Sequence, residues 1–219
     1  MRSVVCGVEM KNLLRKINNS PFVSIILVSV NCIVYILCQF LGESLYSRGY
    51  LGIQGIVYDR EYARFIYSMF LHSDLEHLTN NMILLLFMGS MLEKIVGHIP
   101  FLILYFLSGI GGGVWSLHMK VLHNDFAMSL GASGAIFGLD GLLLAIVIIL
   151  GYKVREITIG RVGLMVALSV YNGFSHTNID NAAHIGGLVV GFLLGGLICT
   201  IIRVKDKRRK STIVRTRGV

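Results

Sequence analysis

Three short groups of residues in this sequence combine reactive side chains with spacings that can bring them together. His77 and Asn81 are four residues apart, so in a helix they lie on one face. Ser133 lies in the glycine-rich segment 131–138, and His184 precedes a series of regularly spaced glycines. All three groups fall in or beside apolar stretches, where a polar side chain is costly to bury and therefore predicts a functional site.

The surroundings of Ser133 suit a nucleophile. Gly131 and Gly134 permit a tight turn and close approach of the backbone to a ligand. A serine at the start of a helix also lies beside free backbone N–H groups, which can bind an oxyanion. The same residues also fit an N-cap serine on a helix packed through small residues, because Ser-Gly pairs are common.

Glycine spacing can bring His184 to Ser133. Small residues four apart form a stripe that lets two helices approach at backbone contact. If two such stripes face each other, the imidazole comes within reach of the serine hydroxyl and can take its proton. A lone histidine is otherwise more often satisfied by a neighbouring carbonyl. The two stripes are Gly134 and Gly138 in the fourth apolar run, and Gly187, Gly191 and Gly195 in the sixth.

Other chemistry has less support in the sequence. His77 and Asn81 could donate hydrogen bonds to a developing oxyanion, or could simply join two helices by hydrogen bonds. Asp180 is four residues before His184 and nearer the predicted outer surface, so a Ser-His dyad is predicted and a triad is not. His72 and His77 are five apart, a poor spacing for one helix face, and no zinc or phosphate-binding motif occurs. No metal and no small-molecule cofactor are therefore expected.

The composition requires a membrane protein. The chain has 219 residues, of which 54% are hydrophobic and only 15% charged, and its mean hydropathy is +0.71. Ordinary soluble domains are about a quarter charged, and disordered chains are far less apolar. A span takes about 20 apolar residues, so the chain can hold six spans and short loops.

Six apolar runs of suitable length are predicted to span the membrane. The first follows basic residues, as a signal peptide would, but its length and the lack of a cleavage site favour a retained anchor. The second and fifth are the least apolar at their ends. The runs cover 22–41, 75–96, 99–119, 133–151, 157–174 and 182–202.

The distribution of basic residues predicts that both termini are cytoplasmic. With the N-terminus inside, 16 of the 20 lysine and arginine residues fall on inner segments. Half of those 16 lie in the tail, where a basic run after an apolar helix indicates anionic lipid rather than nucleic acid. The long outer loop at 42–74 is rich in tyrosine, which fits a position in the membrane interface or a plain connection. The predicted units are a cytoplasmic segment at 1–20, a membrane domain at 21–202 and a basic cytoplasmic tail at 203–219.

Taken together, these motifs resemble those of the rhomboid family of intramembrane serine proteases over residues 62–195. The resemblance implies an all-α polytopic membrane protein, a six-transmembrane-helix rhomboid-like bundle with a cavity open to the outside. It implies substrates that are transmembrane proteins, cut near the outer face, and a multi-pass location in a cell membrane, expected to be a bacterial plasma membrane. The motifs are His72…His77-x-x-x-Asn81, Gly131-x-Ser133-Gly134 with Gly138, and Ala183-His184-x-x-Gly187-x-x-x-Gly191.

The resemblance also implies a role for each residue. Ser133 would be the nucleophile and His184 the general base and then acid. The oxyanion hole would consist of the Ser133 N–H with the side chains of Asn81 and His77. The residues implied as structural support are Gly131, Gly134, Gly138, Gly187, Gly191, Arg64 with Glu61, and Glu93.

Three positions stand out against the family pattern. Ala63 stands where relatives often carry tryptophan, which implies weaker lipid anchoring of the outer loop. Phe137 replaces a tyrosine expected to pack on the histidine. Asp140 lies two helical turns below Ser133, about 10 Å deeper, and is expected to be a buried, protonated hydrogen-bond donor with no catalytic role.

Two other classes of function remain open. The first is an inactive rhomboid-like protein that binds unstable membrane helices, although such relatives usually lack the serine or the histidine. The second is a small transporter with a polar path along His77, Asn81 and His184. A transporter is expected to show internal repeats or paired broken helices, and the sequence has none.

Overall fold

The computed structural model describes residues 20–150 and 180–217, with side chains as far as residue 205. Seven α-helices lie in these two ranges, and five of them are long. They are α1 (Phe22–Leu41), α2 (Glu43–Gly49), α3 (Arg64–Tyr67), α4 (Leu75–Val96), α5 (His98–His123), α6 (Ser133–Ala145) and α7 (Asn181–Arg217).

Local signals explain where the long helices begin and end. The predicted ends of α1 and α4 agree with the structure. Asp74 caps α4 by accepting a hydrogen bond from the His77 backbone N–H at 2.8 Å. Gly97, at a φ of 90°, separates α4 from α5. Helix α5 runs four residues past its predicted end and stops at the left-handed Asn124.

In two predicted spans the helix has a feature that the apolar pattern does not indicate. Helix α6 ends at Ala145 and continues as a π-helical turn over Ile146–Leu150. The last apolar run was predicted to end at residue 202, and α7 continues beyond it to Arg217. No glycine or proline occurs between residues 197 and 217, and lysine and arginine are good helix formers, so nothing in the tail stops the helix. The predicted fifth span, 157–174, lies outside the described residues.

Four helices in the described ranges are long and apolar enough to cross a membrane. Helix α4 has the required length but is not among them, and it carries Glu76 and Glu93 near its two ends. The count of six spans therefore stays a prediction. The four candidates are Phe22–Leu41, His98–His123, Ser133–Leu150 and Asn181–Lys205.

The core lies between α4, α5 and α6. Each contributes large side chains that are fully buried, whereas α1 packs at the edge and exposes most of its apolar surface. Phe40, for example, is 82% exposed. An apolar exterior of this kind fits a helix that faces lipid. The buried side chains include Leu85, Met88 and Leu92 on α4, Phe101, Leu104 and Tyr105 on α5, and Ile136, Leu139 and Leu142 on α6.

The segment at 42–74 folds around a buried arginine. The Arg64 guanidinium donates to the carbonyls of Ser47 and Tyr50, at 2.8 and 3.2 Å, and pairs with Glu61. Gly55 leaves room for it, because a Cβ there would overlap the guanidinium. Tyr58, Tyr62 and Tyr67 of this segment are each more than half exposed, so this folded layer carries aromatic side chains on its surface, a feature that fits a position in the membrane interface.

A buried glutamate joins the start of α1 to the end of α4. The Glu93 carboxylate accepts the backbone N–H groups of Val23 and Ser24, both at 2.8 Å, and the Ser24 hydroxyl at 2.6 Å. It also contacts the imidazole of His98. Helix α1 has no side-chain cap of its own, so Glu93 satisfies N–H groups that would otherwise lack partners.

We expect Glu93→Ala to lower the free energy of unfolding in detergent by about 2–4 kcal/mol, because it leaves several buried donors without an acceptor. Denaturant-induced unfolding of the purified protein measures this loss. The matched control is Glu76→Ala, an exposed glutamate on the same helix, with an expected change within about 0.5 kcal/mol. Equal effects of the two substitutions would contradict the capping role of Glu93.

Candidate active site

Ser133 and His184 lie within hydrogen-bonding distance at the start of two neighbouring helices. Ser133 opens α6 and His184 lies in the first turn of α7. The distance from Ser133 Oγ to His184 Nε2 is 2.9 Å. The imidazole is buried and the serine only partly so. This geometry allows the imidazole to take the hydroxyl proton.

Backbone contact between α6 and α7 permits this approach. A Cβ at Gly187 would overlap the carbonyl of Gly134, and a Cβ at Gly191 would overlap that of Gly138. The two glycine stripes therefore face each other, and a side chain at either position would force the helices apart. Helix α5 also approaches α7 closely, because a Cβ at Gly112 would overlap the carbonyl of Ala183.

An aromatic ring fixes the plane of the imidazole. Phe137 stacks on His184 with ring centroids 4.2 Å apart and an angle of 8° between the rings. Phe137 is one turn along α6 from Ser133, so the helix that carries the serine also orients the histidine. Phe137 therefore packs on the histidine as the expected tyrosine would.

His77 and Asn81 lie on the other side of the serine segment. A Cβ at Gly131 would lie 2.8 Å from the His77 ring and 3.6 Å from Asn81 Nδ2, which places both side chains against the backbone just before Ser133. Gly131 has a φ of 120°, which favours glycine, and its N–H donates to the Ser68 carbonyl at 2.8 Å. Buried Asn81 Nδ2 has no hydrogen-bond partner within the described part of the chain.

A third histidine touches this group. The rings of His72 and His77 meet edge to face, with centroids 5.0 Å apart. The five-residue spacing suggested separate positions, but His72 lies in the turn before α4, where the chain folds back on the helix. Burial and the neighbouring His77 lower the pKa of His72 to about 3, so this ring is neutral at physiological pH. Among the described residues, no three metal-binding side chains lie together.

Among the described residues, no carboxylate contacts the second nitrogen of His184. Its Nδ1 has no hydrogen-bond partner within residues 20–150 and 180–205. Asp180 is close in sequence, but its carboxylate binds Ser116, Ser129 and the Ala183 N–H. The arrangement within the described residues is therefore a pair rather than a triad.

Sequence reasoning missed the cluster around Asp180. Asp180 was predicted to lie nearer the outer membrane surface than His184, and no partner was predicted for it. Most of its side chain is buried in the protein, and it lies 3.8 Å from the buried ammonium of Lys120. The available signal was an aspartate immediately before a predicted helix, which is the N-cap position. Ser116 and Ser129 gave no signal, because their partner is distant in sequence. Asp140 is buried as expected, at 4% exposure, and its protonation stays a prediction.

A family model and several known proteins that are similar to this chain all belong to one family. A family model described as the rhomboid domain matches residues 59–201. RHOMBOID-like protein 4 of Arabidopsis thaliana is 38% identical over 154 residues, which are 69% of this chain and 38% of that protein. Rhomboid protease GluP of Bacillus subtilis (strain 168) is 29% identical over 180 residues, which are 80% of this chain and 34% of GluP.

A third relative is nearer this chain in length. YdcA of Bacillus subtilis (strain 168) is 32% identical over 148 residues, which are 68% of this chain and 71% of YdcA. By contrast, the chain spans little more than a third of RHOMBOID-like protein 4 and of GluP.

We expect Gly131→Ala to displace His77 as well as to strain the backbone, because its Cβ would lie 2.8 Å from that ring. The matched control is Gly97→Ala, where φ is also positive but the nearest side-chain atom is 3.9 Å away. Both should lose about 1–3 kcal/mol of stability from strain. Only Gly131→Ala should speed hydrogen–deuterium exchange over residues 71–81; similar exchange in both variants would contradict the contact.

Proposed function

Because the chain belongs to the rhomboid family, we propose that it is an intramembrane serine endopeptidase that cleaves transmembrane segments of other proteins. The chain is a multi-pass membrane protein, and its relative GluP is named a rhomboid protease. The single observation that carries the proposal is the 2.9 Å distance between Ser133 Oγ and His184 Nε2 at the ends of two apolar helices. An inactive membrane-helix binding protein would have no need of this pair.

His184 acts as the general base and then as the general acid. Its Nε2 takes the proton as Ser133 Oγ attacks the scissile carbonyl, and returns it to the leaving amine. The stacked Phe137 holds the imidazole in place, a task that a third hydrogen-bonding residue performs in many serine hydrolases. Water then hydrolyses the acyl-enzyme, and the partial exposure of Ser133 supports access for it.

Three donors stabilise the oxyanion. They are the Ser133 N–H at the start of α6, the Asn81 amide and the His77 imidazole. The Asn81 amide is buried beside the segment that leads to Ser133, and within the described part of the chain it has no other hydrogen-bond acceptor. A donor that is already oriented and desolvated stabilises developing charge without reorganisation.

The starts of α4, α6 and α7 meet at the site, so the candidate site lies at one end of the helix bundle. We propose that this end faces outward and that both termini are cytoplasmic, since 16 of the 20 lysine and arginine residues fall on the predicted inner segments. Six spans, with the fifth at 157–174, and the units 1–20, 21–202 and 203–219 complete the proposed topology. Substrates are transmembrane proteins cut near the outer face, and the lipid bilayer is the only other partner.

We expect Ser133→Ala and His184→Ala each to reduce cleavage of a single-span model substrate by about 10³-fold or more, because each removes one half of the nucleophile–base pair. The assay uses purified protein in detergent, with a folded state shown by its thermal unfolding. Labelling by a fluorophosphonate probe, located by mass spectrometry, should occur at Ser133 in the unsubstituted protein.

The control for this experiment is Ser29→Ala, an exposed serine on α1, which should cleave and label as the unsubstituted protein does. Equal cleavage by Ser133→Ala and the unsubstituted protein would assign the chemistry to another residue. Absence of both cleavage and labelling in the unsubstituted protein, over several substrates and lipids, would favour the inactive binding function.

We expect Asn81→Ala to lower kcat by about 10²–10³-fold while KM changes little, because an oxyanion donor acts mainly in the transition state. Steady-state kinetics on the same substrate measure both constants. Thr79→Ala, an exposed residue on the same helix, should change neither. A rise in KM with kcat unchanged would show instead that Asn81 binds substrate.

A further inference from the structure

A second hydrogen-bonded pair repeats the spacing of Ser133 and His184. Ser129 is four residues before Ser133, and Asp180 is four residues before His184. The Ser129 hydroxyl donates to the Asp180 carboxylate, so the two pairs join the same segments across the same sequence interval of 51 residues. Contacts that fix Ser129 and Asp180 therefore also restrict the positions of Ser133 and His184.

The Asp180 carboxylate binds three separate parts of the chain. One oxygen, Oδ1, accepts the Ala183 N–H at 3.0 Å and so caps α7 beside His184. The other, Oδ2, accepts the hydroxyls of Ser129 and of Ser116, which lies on α5. One side chain thus holds the start of the histidine helix, the outer part of α5 and the segment that leads into the serine helix.

Ser129 is itself fixed by the outer segment. Its backbone N–H donates to the Leu51 carbonyl at 2.8 Å, and the Leu51 N–H donates back at 2.9 Å. Two residues later, the Gly131 N–H binds the Ser68 carbonyl. A continuous series of hydrogen bonds therefore runs from the folded layer at 42–74 through Ser129 and Asp180 to the first turn of α7.

Charges around Asp180 favour its ionised form. Burial alone would raise its pKa, but hydrogen bonds from Ser116, Ser129 and the Ala183 N–H, together with the Lys120 ammonium, hold the pKa below its usual value. The Lys120 ammonium is buried and lies 3.8 Å from Asp180 and 3.7 Å from Asp125. An ionised acceptor forms stronger hydrogen bonds than a neutral one, so the hydrogen bonds from Ser116 and Ser129 are charge-assisted.

We propose that Asp180 is a positioning residue, which sets the spacing of Ser133 and His184 by binding the segments just before them. This inference rests on the proposed function, because spacing matters for catalysis only if the pair reacts. The carboxylate contacts neither ring nitrogen of His184, so it acts through the backbone and not as a third catalytic group. Misplacement of reacting groups by about 1 Å can reduce a rate about 10²-fold.

An ordinary helix cap would involve only part of this arrangement. Capping α7 requires only the contact between Asp180 and the Ala183 N–H, and Ser129 contributes nothing to it. The variant Ser129→Ala therefore leaves the cap intact and removes the connection between Asp180 and the serine segment, together with the 3.3 Å contact between the Ser129 and Ser116 hydroxyls. A positioning role predicts that this small change reduces catalysis, whereas a capping role predicts that it does not.

The experiment is a double-mutant cycle on kcat and KM in the single-span cleavage assay. We expect Ser129→Ala to lower kcat about tenfold and Asp180→Ala about 10²-fold, with KM within about twofold. The double variant should be no slower than Asp180→Ala, because both substitutions break the same connection. Asp180→Asn keeps an oxygen acceptor and should recover part of the loss. Asp125→Asn removes a charge beside the same lysine but keeps the oxygen that accepts the Ala127 N–H, so it should match the unsubstituted protein.

Hydrogen–deuterium exchange provides a readout that does not require proteolysis. Amides 129–134 should exchange faster in Ser129→Ala and Asp180→Ala, and at the original rate in Asp125→Asn. If the unsubstituted protein neither cleaves nor labels, the proposed protease function fails and exchange alone decides the positioning role. Additive losses in kcat, an unchanged kcat in Ser129→Ala, or unchanged exchange in both variants would overturn the proposal.

Discussion

Direct backbone contact between α6 and α7 is the constraint on which the rest of the structure depends. At Gly187 and Gly191 no side chain fits between the helices, because a Cβ there would overlap the carbonyl of Gly134 or Gly138. A hydrogen bond between Ser133 and His184 tolerates only a few tenths of an ångström, much less than the width of a methyl group. The glycines are therefore as necessary to the pair as the two reactive residues, although none of them can take part in the chemistry.

Buried charges, rather than apolar packing alone, hold the ends of the helices together. Arg64 organises the outer segment, Asp180 joins three segments beside the site, and Glu93 joins α1 to α4 at the opposite end. A buried charge is tolerable only when hydrogen bonds replace the lost water, and each of these side chains has several partners from distant parts of the chain. Each charge therefore specifies one arrangement of its neighbours, since another arrangement would leave it unsatisfied.

The convergence of three helix starts gives the site its electrostatic character. Helices α4, α6 and α7 present their N-terminal ends, each with the partial positive charge of the helix dipole, toward the same small region. Such a region favours the negative charge that develops on a carbonyl oxygen during acyl transfer. The apolar outer surfaces of α1, α5 and α7 keep this polar region inside a protein that faces lipid on its flanks.

The sequence by itself determined the helical class, the ends of α1 and α4, the two glycine stripes and the short list of candidate site residues. These features follow from local signals: apolar length, caps, and residues four apart on one helix face. It could not place the end of α7, where charge suggested a boundary that no helix-breaking residue enforces. Nor could it find the cluster of Asp180, Ser116 and Ser129, the contact of His72 with His77, or the partners of Glu93. Those were decided only by the tertiary structure, because a hydrogen bond between residues 51 or 69 positions apart depends on how whole helices pack, and nothing in the local sequence encodes that distance.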